Sequence, residues 1–102
     1  MIMSRLKLIL TADELDRITI SESDNMIRIR VDVHGLHCAQ ARRLINNIIN
    51  IPRVGFHLMI IHGFNHGTAI KDMLSTDFEN DHILNRAVDP FNKGVTRMQI
   101  AA

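Results

Sequence analysis

Ile27-Arg28-Ile29-Arg30-Val31-Asp32-Val33-His34-Gly35 alternates apolar and charged residues, then stops at a histidine and a glycine. In extended backbone successive side chains point to opposite faces. Ile27, Ile29, Val31 and Val33 therefore share one face, while Arg28, Arg30 and Asp32 share the other. Rows so cleanly separated predict a strand in a sheet covered on one side only. His34 continues the polar row where the strand ends, beside Asp32 on the open side. A carboxylate next to an imidazole can orient the ring and stabilise its protonated form, which is the equipment of acid–base chemistry. The same two residues also fit an ordinary strand-end turn, with Asp32 accepting backbone amides and His34 in solvent.

Beyond Gly35 the period changes. Ala41, Leu44, Ile45, Ile48 and Ile49 recur at helical spacing and predict an amphipathic helix from Cys38 to Asn50. Pro52 ends it, because proline disfavours helical geometry in the residue before. Phe56–Ile61 is continuously apolar apart from His57, the mark of a central strand. Strand, helix, strand in this order makes the two strands parallel neighbours. A second helix is expected over Ala69–Leu74, a third strand over His82–Val88 and a last strand over Val95–Ile100, the final two forming a hairpin. The expected fold is α/β: a two-layer sandwich, β-α-β-α-β-β, with a mixed sheet and its helices on one face.

Upstream, Leu6, Leu8 and Leu10 alternate with other residues and predict an edge strand. Thr11-Ala12-Asp13-Glu14 has the spacing of a capping box and predicts a short helix over Ala12–Ile18. Ser21–Asn25 reads as a polar turn. Residues 1–25 form an accessory N-terminal segment in this reading, and residues 26–102 the main domain.

At 102 residues one domain is expected, and 46% hydrophobic residues with four Phe, no Trp and no Tyr imply an aliphatic core. Twelve Lys and Arg against eleven Asp and Glu leave a net charge of +1, so any basic site must arise from local clustering. A single cysteine, Cys38, excludes an internal disulfide framework and fits a reducing compartment. No apolar run reaches the length of a membrane span, and Arg5 and Lys7 interrupt the apolar start. A cytoplasmic protein with no membrane association is expected.

Asp32–Gly35 and His62–Gly67 both lie at the carboxyl ends of adjacent parallel strands, the edge at which open α/β sheets bind ligands. Each leads into a helix start, whose unpaired amides and dipole favour an anion. Gly63 and Gly67 permit close approach of the backbone, and phosphate is the natural guest. Lys71 adds a charge one turn into the second helix. Arg28, Arg30 and Arg97, with Gln99, make a basic platform on the open face. That face lacks aromatic residues, which leaves Phe64 as the candidate for stacking on a base. His34, His37, His62 and His66 with Asp32 are also compatible with a divalent metal, although neither a metal nor any other cofactor is required.

Asp32-Val33-His34-Gly35, then Ala41 and Leu44, then Ile60-Ile61-His62-Gly63, and Gly67 with Ile70-Lys71 resemble the Smr (small MutS-related) domain. That family reads D-[LV]-H-G, a helix, and an apolar strand ending in [TH]-G-x-G before a second helix. The resemblance covers about Ile27 to Ile100. It implies the fold of the C-terminal domain of a bacterial translation initiation factor, nucleic-acid binding, and in several members endonuclease activity on DNA or RNA. The family's acid and histidine fall on Asp32 and His34, and its second motif on His62 and Gly63. Phe64-Asn65 stands where the family often has x-G, followed here by an additional His66-Gly67.

Three functions are therefore expected. In the first, an endonuclease, His34 and His62 share the proton transfers and Asp32 orients His34. Gly35, Gly63, Phe64, Asn65, His66, Gly67, Lys71 and the three arginines hold the nucleic acid. The second is a non-catalytic nucleic-acid- or ribosome-binding module that keeps the fold without the chemistry. The third is a homodimeric interaction protein in which Leu6–Leu10 pairs between copies.

Overall fold

The alternating stretch forms an interior strand of a five-stranded mixed sheet in the computed structural model, which describes residues 2–63 and 68–102. The described elements in chain order are α1 (Ile2–Lys7), α2 (Ala12–Asp16), β1 (Ile18–Ser23), β2 (Met26–Asp32) and α3 (Cys38–Asn50), followed by β3 (Phe56–Ile61), α4 (Ala69–Thr76), β4 (Ile83–Asp89) and β5 (Asn92–Ile100). The strands lie side by side as β1-β2-β3-β5-β4. β2 and β3 are parallel, joined through α3, and the other neighbours are antiparallel.

Register explains the two faces. Ile29 pairs with Leu58 and Val31 with Ile60, and on the far side Leu58 pairs with Met98. All of these are buried, in one cluster with Leu44, Ile45 and Ile48 of α3 and Ile70, Met73 and Leu74 of α4. Fully burying one such aliphatic side chain contributes about 1.5–3 kcal/mol, so these two helices anchor the covered face. The intervening residues form the other face: Thr19 opposite Arg30, Ser21 opposite Arg28, His57 level with Arg28, and Arg97 opposite Met59. The fold is α/β with two layers, as the periodicity predicts.

The N-terminal segment differs from expectation. Leu6–Leu10 is not an edge strand. Ile2–Lys7 is helical, and Leu6 and Leu10, spaced i, i+4, are the buried pair while Leu8 and Ile9 face solvent. Pairing of a Leu6–Leu10 strand between copies loses its premise, because the backbone there is not extended. The capping box is present, with Thr11 Oγ1 accepting from the Glu14 amide at 3.1 Å and Glu14 Oε1 from the Thr11 amide at 3.0 Å. The helix it starts ends at Asp16, two residues short of the expected Ile18, which instead opens β1. Ser21–Ser23 are strand rather than turn. The turn is Asp24-Asn25 alone, with φ of 51° and 61°, the two-residue left-handed link that matches strand twist.

Candidate functional site

Because β2 and β3 are parallel and β5 antiparallel to them, three chain segments converge at one rim: the carboxyl ends of β2 and β3 and the start of β5. Val33 extends the pairing by donating to the Ile61 carbonyl at 2.8 Å. The chain then turns at His34-Gly35, where Gly35 takes φ +81°, a left-handed conformation in which a side chain would be strained. Gly63 takes φ +71°, and a methyl built there would sit 3.8 Å from His34 Cβ. The two loops, nearly thirty residues apart in the chain, abut.

Asp32 Oδ1 contacts His34 Nδ1 directly and also accepts the His34 backbone amide at 3.1 Å. The carboxylate thus shapes the turn and holds the ring. With Nδ1–H donated to Asp32, Nε2 is the nitrogen left to take a proton. The His34 side chain is 67% exposed, so the ring is open to solvent. Arg17 braces the same backbone: its Nη1 donates to the Asp32 carbonyl at 3.1 Å and the His34 carbonyl at 3.4 Å. An open cleft beside it is lined by Asp16, Arg17, Thr19, Arg30, Asp32 and Ile61.

His62 has a different environment. It continues the buried row of Phe56, Leu58 and Ile60 and is itself buried. Its Nδ1 donates to the Gly63 carbonyl at 2.9 Å, and its Nε2 accepts from Thr96 Oγ1 at 2.8 Å. Both ring nitrogens are engaged within the fold, and the ring is buried whereas that of His34 is exposed. The backbone amides of His62 and Gly63 are engaged too, both donating to the Gly94 carbonyl, at 2.9 and 3.0 Å. The rim brings together Asp32, His34, Gly35 and Gly63, and it places the His62 ring beneath them.

Arg28, Arg30 and Arg97 share the open face, around a groove of about 300 Å³ that Thr19, Ser21, His57 and Met59 also line. Arg28 donates to Ser23 Oγ at 2.9 Å, and Arg97 Nε to Asp89 Oδ2 at 2.6 Å. His57 Nε2 accepts from Arg97 Nη1 at 3.2 Å. Partial burial and the positive charges of Arg97 and Arg28 hold the His57 pKa below the usual histidine range, against a bond with Gln99 that acts the other way. Burial is the larger cause, and the arginines add to it; the three guanidinium groups on one face are the local clustering that the net charge of the chain hides.

Lys71 is half-buried in the first turn of α4. Phe64, Asn65, His66 and Gly67 lie outside the described residues. Among the described residues no group of three or more His, Cys, Asp and Glu is placed to hold a metal ion. No helix among them is long and apolar enough to cross a membrane.

Sequence reasoning missed Arg17, His57 and the Gly94 carbonyl. His57 was detectable in principle, since the parallel register that levels it with Arg28 puts it on the polar face. Arg17 carried no local pattern, because it acts through tertiary bonds to backbone. Compared with protein-family models, curated proteins and solved structures, the chain matches none.

Proposed function

We propose that this domain binds the sugar–phosphate backbone of a nucleic acid along its rim and open face, and that the Asp32–His34 pair cleaves it there. One observation carries the reading: an exposed imidazole held by a carboxylate stands at the end of a strand whose next outward residues are arginines. His34 Nε2 takes the proton of the attacking hydroxyl, the 2′-hydroxyl of RNA or a water molecule. The new oxygen–phosphorus bond forms, the bond to the departing nucleoside oxygen breaks, and that oxygen takes a proton from the imidazolium or solvent. Imidazole suits such transfers near neutral pH. Arg30 and Arg28 offset phosphate charge, as guanidinium forks do well. His62 acts in this reading by fixing Gly63 rather than by moving protons. The resemblance to Smr domains and a cytoplasmic location belong to the same reading.

Incubation with end-labelled RNA and DNA tests it. The intact protein is expected to yield discrete products, and His34→Ala to lower the rate by about 10²–10⁴-fold, the range of a lost acid–base group, while binding persists. Cleavage by His34→Ala at the full rate would remove the pair from the chemistry.

A second reading, a binding module without catalysis, is favoured by the two internal bonds that occupy His62. Salt-sensitive binding with no product from either nucleic acid would select it.

A further inference from the structure

The hairpin joining β4 and β5 carries an aromatic ring that nothing in the fold covers. Phe91 is 97% exposed. Its place is defined by register: Val95 is level with Ile61, and Ile61 with Asp32. β5 runs antiparallel to β3 and opens at Asn92, which pairs with Asp89 past a register shift from Val88 and Thr96, so Phe91, the residue before it, stands at the rim end of the sheet. β5 lies two strand spacings from β2, about 10 Å. Phe91 therefore lies at the same edge of the sheet as Asp32, two strands away.

The tip is stiff. The Phe91 amide donates to Asp89 Oδ1 at 2.8 Å, Asp89 Oδ2 is bound by Arg97 Nε at 2.6 Å, and the Gly94 amide donates to Asn92 Oδ1 at 2.9 Å. The backbone that carries the ring therefore has little freedom left to lose when a partner stacks on it. Lys93, exposed beside it, supplies a cation for the strand's backbone.

The other large exposed hydrophobic residues among the described ones lie at the opposite end of the sheet or beside it. Met26 opens β2, Val54 precedes β3, Leu84 sits at the start of β4, and Leu8 and Ile9 lie against Ile51 and Arg53. Among the described residues Phe91 is thus the one exposed phenyl ring at the rim, not part of an apolar patch of the size that marks a protein interface. A flat, isolated guest suits it.

We propose that Phe91 is a stacking platform for an unpaired base, which makes single-stranded nucleic acid the preferred ligand of this domain. The inference rests on the nucleic-acid-binding function proposed above and adds the strand class to it. Stacking on a π-face tolerates any base, so the site selects for unpaired strands without reading sequence.

The chain contains no Trp, so Phe91→Trp introduces a single indole at the tip. Titrating the full-length variant with a single-stranded oligonucleotide is expected to quench its emission. A duplex of the same length, or a strand with abasic sites, is expected to leave it unchanged. Phe91→Ala and Phe91→Leu are expected to weaken single-strand binding about 5- to 150-fold, the effect of removing one stacked base contact. Since the ring touches nothing, circular dichroism of both variants should match the parent. If the parent binds single strands while both variants bind equally well and the indole is not quenched, the platform is refuted and backbone binding stands. If Phe91→Ala changes the mass in solution but not strand affinity, the ring is a protein contact and the platform is likewise refuted. If the parent binds no nucleic acid, the underlying function falls, and this inference falls with it.

Discussion

Arg17 and Asp32 hold each other: the Asp32 amide donates to the Arg17 carbonyl at 2.9 Å, and Arg17 Nη1 donates to the Asp32 carbonyl at 3.1 Å. With its reach to the His34 carbonyl, this residue of the N-terminal segment grips the backbone on both sides of Val33. Arg17→Ala is expected to cost about 1–2 kcal/mol, toward the lower end because the side chain is partly solvated. It should also slow cleavage by loosening the turn that aims His34. Arg17→Lys should recover part of the stability and less of the rate. Denaturant melts and initial rates separate the two effects; an undiminished rate in Arg17→Ala would make the clasp purely structural.

Thr96→Val removes the hydroxyl that donates to His62 Nε2 and leaves a buried nitrogen unpaired. The expected loss is about 1–3 kcal/mol. His62→Ala additionally opens space beneath Gly63 and should cost more, about 2–4 kcal/mol. If His62 only positions Gly63, cleavage by the folded fraction of each variant falls by similar, modest factors. A collapse of rate in His62→Ala with normal rate in Thr96→Val would return proton transfer to His62.

His57 offers a pH test. Its folded-state pKa is lowered, first by burial and then by Arg97 and Arg28. The unfolded chain therefore binds more protons than the folded one between the two pKa values. Stability from this group is complete above the ordinary histidine pKa of about 6.5 and declines as pH falls from there toward the folded value. A polyanion on Arg28 and Arg97 removes the opposing charge, so its binding should draw a proton onto His57. Affinity for a single strand is expected to rise as pH is lowered from 7.5 to 5.5, and His57→Gln should flatten that part of the slope. Proton NMR of the His57 ring during titration reads the same event directly.

Asp89 has the opposite sign. Its pKa is lowered, chiefly by the bond from Arg97 and next by the Phe91 amide. Its contribution is present above the ordinary aspartate pKa and is lost as pH falls through the folded value, below about 3.9. Asp89→Asn is expected to remove that share of acid sensitivity and to loosen the hairpin tip. Hydrogen exchange at the Phe91 amide should accelerate in the variant at neutral pH.

The elements that the sequence declares are those whose pattern is set by one dominant contact. Cys38–Asn50 is a helix over the expected residues because its apolar stripe has a single face to bury. β2 and β3 follow from alternation and from a continuous apolar run. The N-terminal segment is harder, because Leu6 and Leu10 satisfy period 2 and i, i+4 equally, and tertiary packing chooses the helix. β1 was hidden by its own edge position: Ser21, Glu22 and Ser23 are exposed and polar, so only Ile18 and Ile20 carry the strand signal. At the site, Asp32 and His34 are legible because neighbours in one row share a face. The environment of His62 depends on Thr96, thirty-four residues away, and on the burial of its row.

The last strand in the chain is an interior one: β5 lies between β3 and β4, and its Gly94 carbonyl receives both rim amides. During synthesis the earlier strands emerge with a gap where this one belongs, and the loop around Gly63 has no anchor. The rim therefore takes shape only once residues 92–100 have been made and inserted, and a chain cut short before them is predicted to be inactive as well as unstable.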